Sequence, residues 1–321
     1  MKTHAQFGFR VLDDANRRRI LIDWPRVFSS YASCDSCAEV HRPAYLSAYQ
    51  FPAEFETYLT TTGSTKGYSG VCWSSWLWFD VDSKTDPDLA LEYTRRLIEF
   101  LGDRYTLADE LLVWFSGFKG YHVGLPTSLW MPEASADFAS ACRQFAEMVA
   151  MQAGIVIDQS IYDRVRLFRA PNSRHGKTGR FKRFLTLDEL FYFGVEQIQT
   201  LAAEPAPFEI PTDPPIDEQA VADWQVACKA VAVSKVVRPV GTTPSRLNRA
   251  TRDFLIDGAE VNDRHRLLYS SARNLGEFNC SFELAFALLE PAARESGLPP
   301  SNIRRQIECG LADAGPKGVD Q

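Results

Sequence analysis

Trp76-Leu77-Trp78-Phe79-Asp80-Val81-Asp82 reads as a β-strand. Alternation puts Trp76, Trp78, Asp80 and Asp82 on one side and Leu77, Phe79 and Val81 on the other. Both sides are bulky and apolar until the end, which predicts a buried central strand. Two carboxylates then emerge on one face, about 7 Å apart at the Cα. At that spacing they can share hard cations through oxygen ligands. Two buried anions side by side are costly without a counter-charge. A strand running into an Asx turn at Asp82-Ser83 would use the same residues, so the surrounding chain decides.

Downstream, Asp86-Pro87 has the form of a helix N-cap followed by Pro at the first helical position. Leu89, Tyr93, Leu97 and Leu101 keep helical spacing, and Gly102 closes the helix. Residues 111–115 and 121–125 are apolar strands. They flank the turn Ser116-Gly117-Phe118-Lys119-Gly120, so the pair predicts a hairpin carrying His122. A helix over 133–153 ends at Gly154. Ile155-Val156-Ile157-Asp158 then repeats the opening pattern, an apolar strand ending in an aspartate. Upstream, residues 45–51 read as a strand and 52–59 as a short helix, while 1–30 show no clear pattern.

Residues 164–183, from Arg164-Val-Arg166-Leu-Phe-Arg169 to Arg180-Phe-Lys182-Arg183, hold eight Lys/Arg and no acid. The whole chain has a net charge of −6, so this asymmetry is informative. Solvated faces normally mix signs. Here Asn172, Ser173 and glycines are interleaved, as in a loop that wraps phosphates. Gly176-Lys177-Thr178 resembles the end of a P-loop, but Pro171 stands where its first glycine belongs, which excludes a Walker motif.

The length of 321 residues suggests two domains. Thr186-Leu-Asp-Glu189 is a capping box. Residues 202–219 contain five prolines and read as an interdomain linker. The expected division is therefore a catalytic domain at 1–201, a linker at 202–219 and a helical domain at 220–321. In the last, 266–275, 282–296 and 302–311 form a small bundle. Negative net charge means that nucleic acid must be met by a local basic patch. No apolar run approaches a membrane span, and the N-terminus lacks a signal-peptide pattern. Seven scattered cysteines point to a reducing cytoplasm.

The middle of the chain thus holds an Asp-x-Asp strand end, a Ser…His hairpin, a further aspartate and a basic loop. Phosphoryl and nucleotidyl transfer use such parts: carboxylates hold two divalent cations, and cationic donors hold a triphosphate. Asp80, Asp82 and Asp158 form the candidate carboxylate triad for Mg²⁺ or Mn²⁺. Ser116, Lys119, His122, Arg169, Asn172, Ser173 and Lys177 form the candidate nucleotide clamp. Arg164, Arg166, Arg180 and Lys182 are candidates for the template groove.

Phe79-Asp80-Val81-Asp82, Ser116-Gly-Phe-Lys-Gly-Tyr-His122 and Ile157-Asp158 with Tyr162-Asp-Arg-Val-Arg-Leu-Phe-Arg169 resemble, in order, the three motifs of the archaeo-eukaryotic primase superfamily. The likeness is to the primase-polymerases of phages, plasmids and mobile elements, and it spans about residues 45–195. The resemblance implies an α+β fold: an RRM-like antiparallel sheet and an N-terminal α/β unit around one cleft, followed by a small helical bundle. It implies DNA-dependent nucleotidyl transfer from NTPs or dNTPs on a single-stranded DNA template. A helicase or single-strand-binding protein would be a partner in trans. Within this reading, Lys235, Arg238, Arg246, Arg249 and Arg252 are candidate contacts for initiation.

Two rival readings use part of the same pattern. A metal-dependent glycosyltransferase also uses Asp-x-Asp, but leaves Asp158 and the basic run unexplained. A non-catalytic single-strand-binding module would use the basic run and Phe168 and Phe181 as stacking platforms, without needing three aspartates. Separately, Cys34-Asp-Ser-Cys37 is half of a zinc site, with His41 and Cys72 as candidates for the other half. The alternative is free thiols in a loop.

Overall fold

The computed structural model describes residues 6–83, 85–107, 110–236, 247–260 and 263–314. Its strands, in chain order, are β1 (Phe7–Leu12), β2 (Ile20–Asp23), β3 (Ala44–Ser47), β4 (Trp76–Val81), β5 (Leu112–Phe115), β6 (Tyr121–Pro126), β7 (Leu167–Arg169) and β8 (Arg183–Phe184). They form two antiparallel sheets, ordered β2-β1-β3-β7 and β4-β6-β5-β8. The first sheet packs α1 (Trp24–Ser33) and α2 (Ala53–Thr62). The second packs α3 (Pro87–Arg104) and α4 (Phe138–Ala153). The fold is α+β, as the sequence implies.

The strand at 76–81 and the hairpin at 112–126 form where expected. In the hairpin, Phe115 pairs with Tyr121, and the Ser116 N–H donates to the Gly120 carbonyl. β4 is buried on both faces, but it is an edge strand of its sheet, not a central one. Its outer carbonyls are covered by other donors. The Tyr162 hydroxyl donates to the Trp78 carbonyl at 2.8 Å and the Asp158 N–H donates to the Asp80 carbonyl at 2.9 Å. Residues 155–158 therefore make no strand. Asp158 offers β4 one backbone bond, and its side chain then turns away to cap the 3₁₀ turn Gln159–Tyr162.

α3 begins with the Asp86 carboxylate accepting from the Leu89 N–H, with Pro87 in the first turn. It runs past Gly102 to Arg104. α4 starts at Phe138 and not at 133, because Ser135 is drawn into a two-way backbone pairing with Cys72. The capping box forms at Thr186 and Glu189, opening α5 (Leu187–Tyr192), and α6 (Val195–Leu201) follows.

The division at 202–219 is corrected by the packing. Residues 202–217 are a strap held on the core rather than a free linker. The Phe208 N–H donates to the Ala32 carbonyl, and the Phe208 ring stacks 4.9 Å from Phe184. α7 (Glu218–Val236) belongs to the first unit, which extends to Val237. The helix lies on α4, with Trp224 at 5.5 Å from Phe138 and 5.6 Å from Trp130. Asp223 accepts both Arg104 donors, at 2.7 and 2.8 Å, and the Tyr105 hydroxyl at 2.8 Å. Asp217 caps the helix at the Ala220 N–H and also accepts the Thr106 N–H. Proline content marks an irregular path but does not say whether that path is solvated. One core runs through this unit, from Phe9 and Tyr31 through Trp78 and Trp114 to Ala227.

The second unit holds α8 (Arg249–Asp257), α9 (Arg264–Gly276), α10 (Phe282–Glu295) and α11 (Pro300–Asp313) around its own core of Phe254, Leu268, Leu289, Ile303 and Ile307. Arg249 and Arg252 lie on α8, and Arg249 pairs with Asp253 at 3.4 Å. Arg238, Arg246 and the Lys235 side chain lie outside the described residues. Among the described residues no helix is long and apolar enough to cross a membrane.

Candidate active site

The two sheets meet along an aromatic seam, and a cavity of about 280 Å³ opens there. One wall comes from β4, β6 and the 116–120 turn, and contributes Asp80, Asp82, Ser116, Phe118, Lys119 and His122. The other comes from β3, β7 and the loops on either side of β7, and contributes Tyr45, Arg166, Arg169 and His175. The sequence reading brought most of these together. It missed Tyr45, Phe118 and His175.

Asp80 and His122 are register partners across β4 and β6. The His122 Nε2 lies 3.6 Å from the Asp80 Oδ1, beyond hydrogen-bond length. His122 is buried, with its ring 4.1 Å from Phe168. Burial, reinforced by Lys182 and Arg169, holds it well below the ordinary histidine range. The imidazole is therefore neutral near pH 7, not the cation that the clamp reading allowed. Its Nδ1 is buried and has no hydrogen-bond partner among the described residues.

Burial, then Asp158 and then Asp82, push the Asp80 carboxyl up to about 7, with Lys182 and Arg166 opposing. Asp82 lies 3.5 Å from the Lys119 Nζ. Gly120 sits so close beneath it that a Cβ would meet the Val81 carbonyl at 2.8 Å and the Asp82 carboxylate at 3.2 Å. Asp158 stands beside this pair without lining the cavity. Its carboxylate accepts the Ser160 N–H and hydroxyl, both at 2.8 Å.

Arg169 spans the opposite wall. Its guanidinium lies 4.9 Å from the Tyr45 ring centroid and donates to the Tyr45 hydroxyl at 3.3 Å. Burial lowers its pKa, and Tyr45 opposes that.

The basic run divides sharply. Arg166 and Arg169 line the cavity. Arg164 donates to the Tyr68 and Ala136 carbonyls and holds loops together. Asn172 and Ser173 are fully buried and work for the fold. The Asn172 amide donates to the Tyr31 carbonyl and accepts the Ala206 N–H, while the Ser173 hydroxyl donates to the Ala170 carbonyl. Lys182 is also buried, at 1% exposure, so it cannot touch a template. Its Nζ donates to the Arg169 carbonyl at 2.9 Å and sits 4.3 and 4.4 Å from the Trp114 and Phe168 centroids. Lys177 is exposed and Arg180 half-buried, and neither lines the cavity.

Among the described residues no group of three or more His, Cys, Asp or Glu side chains is placed to hold a metal ion. The candidate zinc residues do not gather. Cys34 ends α1 in a left-handed conformation, and Cys37 is exposed. His41 presents an edge to Phe181 at 5.8 Å. Cys72 is buried, which pushes its thiol up to about 11.

Neither a family model nor a curated protein matches this chain. A solved structure described as "Crystal structure of primase RepB'" is similar at 13% identity and a TM-score of 0.32, covering 98% of this chain and 96% of that one. A likeness at that level assigns neither fold nor activity to this chain.

Proposed function

We propose that the cavity binds a nucleoside triphosphate and transfers its nucleotidyl group to a primer or initiating nucleotide on a single-stranded DNA template. The observation that carries this reading is the meeting of Asp80 and Asp82 with Ser116, Lys119, His122, Arg166 and Arg169 in one cavity. Carboxylates crowded enough to push Asp80 to about 7 suit a divalent cation. Asp80 and Asp82 would hold Mg²⁺ or Mn²⁺, with Asp158 adding negative charge alongside. Such ions, held by Asp80 and Asp82, would supply Lewis-acid stabilisation of the charge that develops in nucleotidyl transfer.

The chain's own groups supply the rest. Arg169 offers a planar fork to phosphate oxygens, pre-set by Tyr45. Neutral His122 offers one N–H, and Lys119 and Arg166 supply charge at the rim. The second unit would serve initiation, when no primer duplex helps to order the complex.

The test is incorporation of labelled NTPs and dNTPs on single-stranded template with Mg²⁺ or Mn²⁺. Asp80→Ala and Asp82→Ala should each abolish incorporation and leave single-strand binding intact. Near-normal incorporation by either variant overturns the assignment. A chain cut after residue 236 should extend an annealed primer but not prime bare template.

A further inference from the structure

The cavity has a polar floor and an aromatic lip, and the lip has no role in the chemistry above. Phe118 sits at the tip of the 116–120 turn and is 44% exposed, whereas His122 on the floor is 7% exposed. An exposed phenylalanine beside a charged cavity loses apolar contact to water until something flat covers it. The His175 ring lies 5.5 Å from Phe118, tilted by 34°. It comes from a different loop, and that loop is fastened. The Thr178 hydroxyl donates to the Gly117 carbonyl at 2.6 Å. The His175 Nδ1 accepts the Lys177 and Thr178 N–H groups at 3.2 and 3.3 Å, which fixes the ring plane. Burial, with Arg169 and Lys177, pulls this histidine down to about 4, so the ring is neutral near pH 7.

We propose that Phe118 and His175 form a shelf on which the base of the bound nucleotide stacks. This rests on the nucleotide reading of the same cavity. A triphosphate held between Arg169, His122 and the divalent cation that Asp80 and Asp82 would carry leaves its base directed outward to the lip. Stacking uses the face of a base, so the shelf takes purines and pyrimidines alike and leaves base choice to the template. Ring stacking of this kind accounts for about 5- to 140-fold in affinity.

The experiment is calorimetric titration of the full chain in Mg²⁺, without template, using ATP, UTP and inorganic triphosphate. ATP and UTP should each bind at least about 5-fold tighter than triphosphate. In Phe118→Ala that advantage should vanish while triphosphate affinity holds, and Phe118→Trp should restore it. His175→Asn keeps an acceptor for the two backbone N–H groups but removes the ring, and should lose part of the advantage. If Phe118→Ala keeps the wild-type ratio, the shelf is wrong and nucleotide binding stands. If the wild-type chain binds none of the three, the nucleotide reading fails and the shelf with it.

Discussion

Replacing Lys182 by methionine separates what a buried ammonium does for the fold from what it does for the cavity. The hydrogen bond to the Arg169 carbonyl, at 2.9 Å, contributes about 1.5–3 kcal/mol. Cation–π contact with Trp114 and Phe168 adds about 2 kcal/mol. Against these stands a desolvation cost of several kcal/mol for an ammonium in an apolar slot. Methionine fills a similar length with apolar contact. The terms nearly cancel, so stability should change by no more than about 2 kcal/mol, or roughly 4–8 °C in Tm for a unit of this size.

The pH dependence has a definite sign. Burial, then Arg169, hold Lys182 well below its ordinary value of 10.5. The cation terms above apply below the lowered value; between it and 10.5 the folded amine is neutral and the unfolded chain binds more protons, so wild-type stability rises with pH across that window. The variant lacks this contribution. In the cavity, Arg169 loses its backbone tether and Asp80 a counter-charge, so the KM for nucleotide should rise by about tenfold, or ~1.4 kcal/mol. Thermal unfolding at about pH 7 and about pH 9.5, with steady-state incorporation, reads all of this. A loss of more than about 4 kcal/mol would show that the lysine is a net structural staple and refute the cancellation. An unchanged KM would refute its role in the cavity.

Three further outcomes are expected. Asp223→Asn strips a buried acceptor from Arg104 and Tyr105 and should cost about 2–4 kcal/mol, measured by denaturant unfolding. In the wild type, burial of Asp223 is outweighed by hydrogen bonds from Arg104, Tyr105 and Gln219, which leave its pKa below 3.8. Its contribution is therefore present above that pH and fades as pH falls through the lowered value. Gly117→Ala meets a φ of +89° and the His175 Cβ at 3.1 Å, so it should cost about 1–2 kcal/mol and raise nucleotide KM without abolishing turnover. Asp80 is raised from 3.8 to about 7, so the metal-free fold should lose stability as pH climbs through that window. Excess Mg²⁺ should remove the loss and Asp80→Asn should abolish it, both followed by Tm in chelator and in Mg²⁺.

What could be read in the sequence was local. Asp80, Asp82, Ser116, Lys119 and His122 sit on one strand and one adjoining hairpin, where a period of two and a turn signal fix which side chains share a face. Arg169 stands out through the acid-free basic run and the third motif, not through a strand pattern. The same run also yielded Lys182, Asn172 and Ser173, which turned out to be buried. Charge and polarity in a loop do not reveal whether an aromatic slot or a backbone acceptor awaits them. Asp158 reached β4 through one backbone bond, a difference that apolar patterning cannot express. Tyr45 arrives from a strand distant in sequence, whereas His175 lies inside the basic run, where a reading of charge passes over an uncharged ring. Phe118 carried a signal that could have been used: an aromatic at the tip of a Gly/Lys turn, where a polar residue would be expected. The proline-rich stretch concealed Phe208, whose packing on Phe184 and Trp114 makes it a strap, and α7 joined the first unit through Asp223 and Trp224, neither of which marks a boundary.

The cavity walls belong to sheets that share no strand. Each wall keeps its own ladder of backbone hydrogen bonds. What sets the gap between them is the tilted Trp78–Phe168 ring contact, the Trp78 indole donating to the Ala48 carbonyl, and Lys182 behind both. Widening or narrowing the gap therefore strains side-chain contacts and spares the ladders. Substitutions at Trp78 or Lys182, neither of which lines the cavity, should change its width while every side chain that lines it stays the same.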